Sequence, residues 1–426
     1  MIDHYDPFLD ERIMETTLAN GLPIKIVPKP GFSKKYAYFV TRYGSIDTKF
    51  RWNGREFTTP DGVAHYLEHK MFDLPDRDVM QEFSALGANP NAFTNFFMTA
   101  YYFSCTEHFL QCLRLLLTYV STPYFTQESV EKERGIIEQE IRMCEDRSDI
   151  KVEEDLFAAL FRHHPARVPI AGTVESIGKI TAQTLLDCYR AFYTPSNMIL
   201  CVVGDVDPEE VVRTAEEILP PERQPAAERD YGPPEDLRCY KSRMERRMDV
   251  AMPTFQMGVQ CPWPGRGPAG MRQQIVGDLA AEALMGESSA LYLQLYEQGL
   301  IDASFGAGYE DLPGVALLSC GGDSRDPQAV QAAILAEAER LGREGIEEDM
   351  FQRLKKSALG RRVRGLDSFD GTCYRLCTSY FDGVRYLDFP EVYASVTKEQ
   401  TEEFLRQTMQ ADRCAMSVVW PRQWEE

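Results

Sequence analysis

Two histidines and a glutamate lie close together in the segment His65-Tyr66-Leu67-Glu68-His69. In a helix, which turns by roughly 100° per residue, His65, Glu68 and His69 fall within about a third of a turn and can face one point. Two neutral imidazoles and one carboxylate ligand hold zinc with a position left open, and water in that position becomes a nucleophile near neutral pH. The pattern therefore predicts a hydrolytic zinc centre in which Glu68 is the general base.

The order of these residues is the inverse, H-x-x-E-H, of the commoner H-E-x-x-H motif. A pattern of five residues also arises by chance, so the alternative is a surface helix that carries ordinary polar side chains. A carboxylate in a suitable place elsewhere in the chain is needed to decide between the two interpretations.

Such a carboxylate is available on the helix predicted over residues 127–143. Glu133 and Glu140 are seven residues apart, so they share a helix face. Ile136 and Ile137 are predicted to lie on the same face, which is otherwise apolar. A carboxylate that faces the core needs a partner. The alternative is that both glutamates form ordinary salt bridges.

Length and composition are those of a globular protein with two domains. The chain has 426 residues, 44% of them hydrophobic and 26% charged, and a net charge of -20. This charge opposes binding to nucleic acid and to anionic lipid, so neither is expected as a partner. No apolar run is long enough to span a membrane and the first residues do not resemble a signal peptide, which predicts a cytoplasmic protein. The cysteines include no CxxC pair and are expected to be reduced.

The order of predicted elements indicates an α+β fold with two homologous domains, each a mainly antiparallel sheet covered by helices. We expect a first domain over 1–219 that carries the zinc motif, a proline-rich linker over 220–235, and a second domain over 236–426 without the motif. Strands are predicted at 22–27, 36–40, 91–97, 99–104, 198–204, 250–260, 315–320 and 415–419, and helices at 107–119, 127–143, 182–192, 273–285 and 329–341.

Five segments of the first half also form an ordered set of motifs. They read DGVAHYLEH at 61–69, GANPNAFT at 87–94, EKERGII at 131–137, GT at 172–173 and YTPSNM at 193–198. With these motifs the sequence resembles the pitrilysin/insulinase family of zinc peptidases, in the two-domain branch that includes mitochondrial processing peptidase. The second half resembles the family more weakly, through its pattern of elements and the segment SSALY at 288–292.

Applied residue by residue, the resemblance assigns catalytic or metal-binding roles to five polar residues of the first half. It implies that His65, His69 and Glu140 bind zinc and that Glu68 is the base. It further implies that Glu133 supports catalysis from behind the ligands. These five residues are the predicted catalytic and metal site.

The resemblance also implies how substrate binds. Asn91 and Ala92 are expected to contact it, because in the family this segment begins an edge strand. An extended peptide adds to that strand through main-chain hydrogen bonds, with little regard to its side chains.

In family members that form a closed clamshell, an arginine and a tyrosine from the facing half complete the site. This sequence departs from that pattern at both positions. Tyr296 stands where the arginine is expected, and Asp302 stands where the tyrosine is expected. A family clamshell has four domains and this chain supplies two. The resemblance therefore implies a dimer, either a heterodimer with a sister chain that lacks the zinc motif or a homodimer.

The function implied is that of a zinc-dependent endopeptidase that hydrolyses peptides or unfolded protein segments inside a chamber. Two alternatives stay open. One is a non-catalytic assembly or peptide-binding subunit with the same fold, against which the intact zinc motif argues. The other is a processing subunit that is active only with a sister chain, which the residues at positions 296 and 302 favour.

Overall fold

The computed structural model describes residues 1–75 and 77–424. The elements of the first half are eight helices and twelve strands within these residues. The strands are β1 (Ile2–Asp6), β2 (Glu11–Thr17), β3 (Pro23–Pro28), β4 (Lys35–Thr41), β5 (Lys49–Trp52), β6 (Arg55–Thr58), β7 (Asp73–Leu74), β8 (Arg77–Asp78), β9 (Asn89–Thr94), β10 (Thr99–Cys105), β11 (Met198–Gly204) and β12 (Glu228–Arg229). The helices are α1 (Val63–Met71), α2 (Val79–Ala85), α3 (Phe109–Val120), α4 (Gln127–Glu145), α5 (Ser148–Leu160), α6 (Val174–Ile177), α7 (Ala182–Phe192) and α8 (Pro208–Ile218).

The second half has fewer strands and longer helices. Its strands are β13 (Arg243–Met248), β14 (Thr254–Cys261), β15 (Gly306–Leu312), β16 (Val315–Asp323) and β17 (Cys414–Pro421). Its helices are α9 (Pro268–Met285), α10 (Ala290–Glu297), α11 (Pro327–Glu344), α12 (Glu348–Arg364), α13 (Phe369–Phe381), α14 (Phe389–Ser395) and α15 (Lys398–Thr408).

Each half is built on one main sheet, and the five strands of the second sheet have the topology of five of the seven strands of the first. The first runs in the order β1-β2-β3-β11-β4-β10-β9 and the second in the order β13-β17-β14-β16-β15. Only β3–β11 and β13–β17 are parallel pairs within these sheets. The second sheet therefore repeats the last five positions of the first, which confirms the predicted α+β fold with two homologous, mainly antiparallel sheets. In this repeat β9 corresponds to β15, and both are edge strands.

The two halves exchange a helix. From the first half, α5 packs against β14 and β17 of the second sheet, while α13 of the second half packs against β4 and β11 of the first. The contact is close: a Cβ added to Gly258 on β14 would lie 2.8 Å from a side-chain atom of Leu160 on α5. The strand β12, inside the predicted linker, pairs with β5 of the first half. The boundaries at 219 and 236 stay a prediction.

The buried apolar residues form two large clusters and a smaller one beneath α5. One large cluster joins the second sheet to one face of the first sheet, and the other covers the opposite face of the first sheet. The strand β11 shows why the first sheet is central to the core, since every residue from Met198 to Gly204 is buried. No helix within residues 1–75 and 77–424 is long and apolar enough to cross a membrane.

Candidate metal centre

Helix α1 carries the two histidines on its outward side, and the side chains on its inward side anchor it in the core. Tyr66 and Leu67 are fully buried. The Tyr66 hydroxyl donates a hydrogen bond to the carbonyl oxygen of Val130, at the start of α4. This bond joins the helix with the histidines to the helix with the glutamates.

The start of α1 depends on a close backbone contact. Gly62 precedes the helix with φ +91°. A Cβ at Gly62 would lie 2.4 Å from the carbonyl oxygen of Ala171. Next to this contact, Ser176 Oγ donates a hydrogen bond to the carbonyl oxygen of Asp61 at 2.9 Å. The motif segments at 61–69 and 172–173 therefore meet in space, and only glycine fits at position 62.

Helix α4 begins at a capping box, in which Thr126 and Ser129 satisfy each other's backbone N–H groups. Its buried positions include Ile137, while Ile136 is 49% exposed. The prediction that Ile136 shares the apolar face was therefore wrong. Ile136 lies roughly 60° from Glu133 around the helix, on the side away from Ile137. The core contacts the side on which Ile137 lies.

The predicted metal ligands converge. One ligand atom from each of His65, His69 and Glu140 can be chosen so that all three lie within 4.8 Å of one another. The distance from His65 Nε2 to Glu140 Oε1 is 3.5 Å, and that from His69 Nε2 to Glu140 Oε2 is 3.3 Å. Two ligands bonded to zinc at about 2.0–2.1 Å in tetrahedral geometry lie roughly 3.3 Å apart. The donor atoms thus have the types and the spacing that a zinc ion requires.

Glu133 lies behind the ligands, as predicted, and it touches one of them. Its Oε1 is 3.0 Å from His69 Nδ1. Such a carboxylate fixes the ring orientation and leaves Nε2 free to bind metal. His65 differs, because its Nδ1 is buried and has no hydrogen-bond partner among the described residues.

The electrostatics of the cluster favour a bound cation. Burial lowers the pKa of His69, but hydrogen bonds to Glu133 and Glu140 and the charges of Glu140 and Glu68 outweigh burial and raise this pKa to about 10. Hydrogen bonds from His65 and His69 hold the pKa of the Glu140 carboxyl well below its ordinary value. A metal ion that binds here displaces a proton from His69.

Glu68 has a hydrogen-bond partner outside the set of metal ligands. Its Oε2 accepts a hydrogen bond of 2.6 Å from Thr94 Oγ1. Thr94 Oγ1 also lies 3.3 Å from Thr99 Oγ1, which donates to the carbonyl oxygen of Tyr43 at 2.8 Å. The sequence predicted no role for Thr94. It stands at the end of the NAFT segment, but nothing in the sequence alone shows that its hydroxyl reaches α1.

The predicted substrate residues lie on β9, the last strand of the first sheet. Ala92 pairs with Tyr101 on β10, and the opposite edge of β9 is not paired with any described strand. Asn91 is exposed and Ala92 half-buried. Asn91 Oδ1 accepts a hydrogen bond of 2.9 Å from the Ala92 N–H. The strand is open to an added peptide, and contact of Asn91 and Ala92 with substrate stays a prediction.

A cavity of about 380 Å³ adjoins the metal ligands. His65, Glu140 and Thr94 form one side of it, and apolar side chains of Phe96, Ile141, Ile150, Phe157 and Ile170 form much of the rest. This cavity connects the cluster to space that a substrate side chain can fill.

The residues at the two departures from the family pattern contact their own half. Tyr296 is 52% exposed, and its ring stacks on that of Tyr292 with ring centroids 6.0 Å apart. Asp302 Oδ1 accepts hydrogen bonds from the backbone and the hydroxyl of Ser304. Neither contact resembles one that an arginine or tyrosine would make at a metal site.

Each half of the chain matches a model of a known protein family. Residues 55–174 match the family model described as Insulinase (Peptidase family M16), and residues 179–358 match the one described as Peptidase M16 inactive domain. The second match is consistent with a motif-free second half.

Individual proteins extend this similarity over the whole chain. The chain is 36% identical to the uncharacterized zinc protease YmfH of Bacillus subtilis over 97% of its own length and 98% of that protein. It is 29% identical to a probable mitochondrial-processing peptidase subunit beta of Arabidopsis thaliana, over 48% of this chain and 38% of that one. Among solved structures, a putative M16-like peptidase of Alicyclobacillus acidocaldarius has a TM-score of 0.94 at 34% identity, with 99% of this chain and 100% of that chain covered. The chain therefore belongs to the insulinase (M16) family of peptidases.

Proposed function

We propose that this protein is a zinc-dependent endopeptidase, with zinc bound by His65, His69 and Glu140. The observation that carries the proposal is the convergence of two imidazole nitrogens on the two oxygens of one carboxylate, at 3.5 and 3.3 Å. Glu133 behind His69 adds the carboxylate that metal-binding histidines ordinarily have. The name of the Bacillus subtilis relative, a zinc protease, supports the same metal and reaction.

A zinc ion in this position supplies Lewis-acid chemistry, which polarises a peptide carbonyl and lowers the pKa of a water molecule. Residues of this chain carry out the proton transfer. Glu68 accepts the proton of the attacking water and returns it to the leaving amine. Thr94 holds one oxygen of Glu68, so the other oxygen is free to take that proton.

Substrate is held as an extended strand. The open edge of β9 offers main-chain donors and acceptors that suit any unfolded segment, so the preference for sequence comes from side-chain pockets. The cavity beside His65 and Glu140 supplies one such pocket, and its largely apolar walls favour an apolar side chain next to the scissile bond.

The proposed peptidase also needs a partner chain. The residues at positions 296 and 302 do not supply the facing arginine and tyrosine, so we infer that another chain completes the chamber. A sister chain that lacks the zinc motif fits this need, because a second copy would bring the same Tyr296 and Asp302. A homodimer is the alternative, and the mass of the protein in solution distinguishes it from a monomer.

The rival function is a subunit that binds peptides without hydrolysis, or one that cleaves only with its sister chain. The experiment is a screen of a fluorescence-quenched peptide library with zinc-loaded protein, alone and mixed with a candidate sister chain. Cleavage that Glu68→Gln abolishes while zinc content is retained supports the proposal. The exposed Glu131, on the same helix as the ligand Glu140, gives the control variant Glu131→Gln, which should cleave normally. Absence of cleavage with and without the sister chain would favour the binding subunit.

A further inference from the structure

Helix α13 of the second half lies against the face of the first sheet that is opposite to α1. The helix packs there against β4 and β11. Two of its side chains, Asp370 and Tyr374, are four residues apart and therefore project from the same side of the helix. Each of these two side chains contacts an aromatic residue of the first sheet.

The contact of Asp370 is with β4. The Tyr38 hydroxyl donates a hydrogen bond to Asp370 Oδ1, and Tyr38 itself is buried. Tyr38 is paired across the sheet with Tyr102 on β10. The two rings stack with their centroids 4.4 Å apart and their planes 16° apart. Asp370 is thus connected through two stacked rings to the neighbour of the edge strand β9.

The contact of Tyr374 is with β9 itself. The centroids of the Tyr374 and Phe93 rings are 6.1 Å apart. Phe93 also lies edge to face with Tyr102, at 6.2 Å. These distances are within the roughly 4.5–7 Å over which aromatic pairs attract each other. Tyr38, Tyr102, Phe93 and Tyr374 therefore form one aromatic row across β4, β10 and β9, and both ends of the row contact α13.

Phe93 is well placed to fix the strand to which substrate is expected to add. It stands between Ala92 and Thr94 on β9. Because side chains alternate along a strand, Phe93 faces α13 while Ala92 and Thr94 face α1. An edge strand has a hydrogen-bonded neighbour on one side only, so contacts on its two faces determine how firmly it is held.

We propose that Tyr374 is a positioning residue for the peptidase, which acts through Phe93 to hold β9 where an added peptide reaches the zinc ligands. The inference rests on the proposed function and gives the motif-free half a task in it. A strand that is ordered before substrate arrives lowers the free-energy cost of binding. Once the peptide has added, β9 has a neighbour on both sides, and the contact with Tyr374 matters less.

Hydrogen–deuterium exchange of the full chain tests the contact without any peptidase activity. In Tyr374→Leu, the amides of residues 89–94 should exchange roughly threefold to tenfold faster, as expected for the loss of one aromatic pair. The amides of β11 should keep the parent rate, because Tyr374 is 37% exposed and its ring is not needed to fill the core. Tyr374→Phe keeps the ring and should match the parent protein. Tyr5→Leu, at a residue 54% exposed on the opposite edge of the sheet, is the control.

A second variant removes the other ring of the pair. Phe93→Leu should also speed exchange of residues 89–94, and adding Tyr374→Leu to it should change the rate little, because the two rings act on each other. Effects that multiply in the double variant would contradict the proposal. Equal exchange of β9 in Tyr374→Leu and the parent protein would overturn it, as would an equal acceleration in β11, since that means a general loss of stability.

Steady-state kinetics with a fluorescence-quenched peptide connect the contact to substrate. Tyr374→Leu should raise KM roughly threefold to tenfold and change kcat by less than about twofold, because the cost of ordering β9 falls on binding. Tyr374→Phe should restore the parent KM. A fall in kcat with KM unchanged would overturn the positioning role. If the parent protein cleaves no peptide, the proposed function fails, while the exchange measurement still decides whether Tyr374 holds β9.

Discussion

Thr94 Oγ1 donates a hydrogen bond of 2.6 Å to Glu68 Oε2, and this bond joins the edge strand of the first sheet to the helix of the zinc motif. Thr94 is the last residue of β9, two positions after Ala92. The strand to which a peptide is expected to add is thus connected directly to the proposed general base. The orientation of the Glu68 carboxylate therefore depends on the hydroxyl of Thr94.

Replacing Thr94 by valine tests this connection. Valine has the shape of threonine without the hydroxyl, so Glu68 loses a hydrogen bond and its fixed orientation. We expect kcat to fall by roughly tenfold to a hundredfold with KM and zinc content little changed, because a misplaced catalytic group costs rate more than binding. Thr94→Ser restores the hydroxyl and should recover most of kcat. Steady-state kinetics in which valine and serine variants are equally impaired would assign Thr94 a packing role only.

Glu133→Gln tests the support behind the ligands. The amide keeps the size of the carboxylate but loses the charge that orients His69 at 3.0 Å. Zinc affinity should fall by roughly 10–100-fold, as for other carboxylates behind metal-binding histidines. Competition with a fluorescent zinc chelator measures the change. Glu131→Gln, two residues away on the same helix and exposed, should keep the affinity of the parent protein, and an equal loss in both variants would contradict the role of Glu133.

Gly62→Ala tests the backbone contact at the start of α1. Alanine is strained at φ +91°, and its Cβ would lie 2.4 Å from the Ala171 carbonyl oxygen. Gly54→Ala is the matched control, because Gly54 also has a positive φ, of +74°, but no atom within 4 Å of the added Cβ. The control should lose about 1–2 kcal/mol of unfolding free energy from the strained φ alone. Gly62→Ala should lose more and should also weaken zinc binding; urea unfolding that gives equal losses would refute the contact.

Glu310→Gln should change how stability depends on pH. Burial, first, and the charges of Glu153 and Asp311 raise the pKa of Glu310 from 4.5 to about 7 in the folded protein. A raised folded-state pKa stabilises the fold below the unfolded value of about 4.5, and this contribution is lost as pH rises through about 7. The glutamine variant should match the parent protein near pH 4 and exceed it at pH 8 by no more than about 3 kcal/mol. Thermal melting at the two pH values measures this, with Glu391→Gln as the surface control.

The sequence predicted many of the helices and strands that position the metal ligands, because local signals define those elements. The capped helix α4 and the strand β11 are found within a few residues of their predicted ranges, and helix α7 spans Ala182–Phe192 as predicted. Membership of the insulinase family, which the motifs indicated, is confirmed by the comparisons. His65, His69 and Glu140 come together as their spacing and the family pattern implied.

Other features depend on contacts between distant parts of the chain, and the sequence did not indicate them. The exchange of α5 and α13 between the sheets is one, since each helix has an ordinary amphipathic pattern that does not say which sheet it covers. The Thr94–Glu68 bond is another, because it joins residues 26 positions apart on different elements. The side of α4 occupied by Ile136 was misassigned, since seven-residue spacing relates the two glutamates but does not define the edge of the buried face.

Anomalous diffraction at the zinc edge, from a crystal of the zinc-loaded protein, locates the metal itself. We expect one strong peak per chain, within bonding distance of His65 Nε2, His69 Nε2 and a Glu140 oxygen, and its loss in crystals of His65→Ala. A peak bonded to other residues, or no peak at these three side chains, would contradict the proposed zinc site.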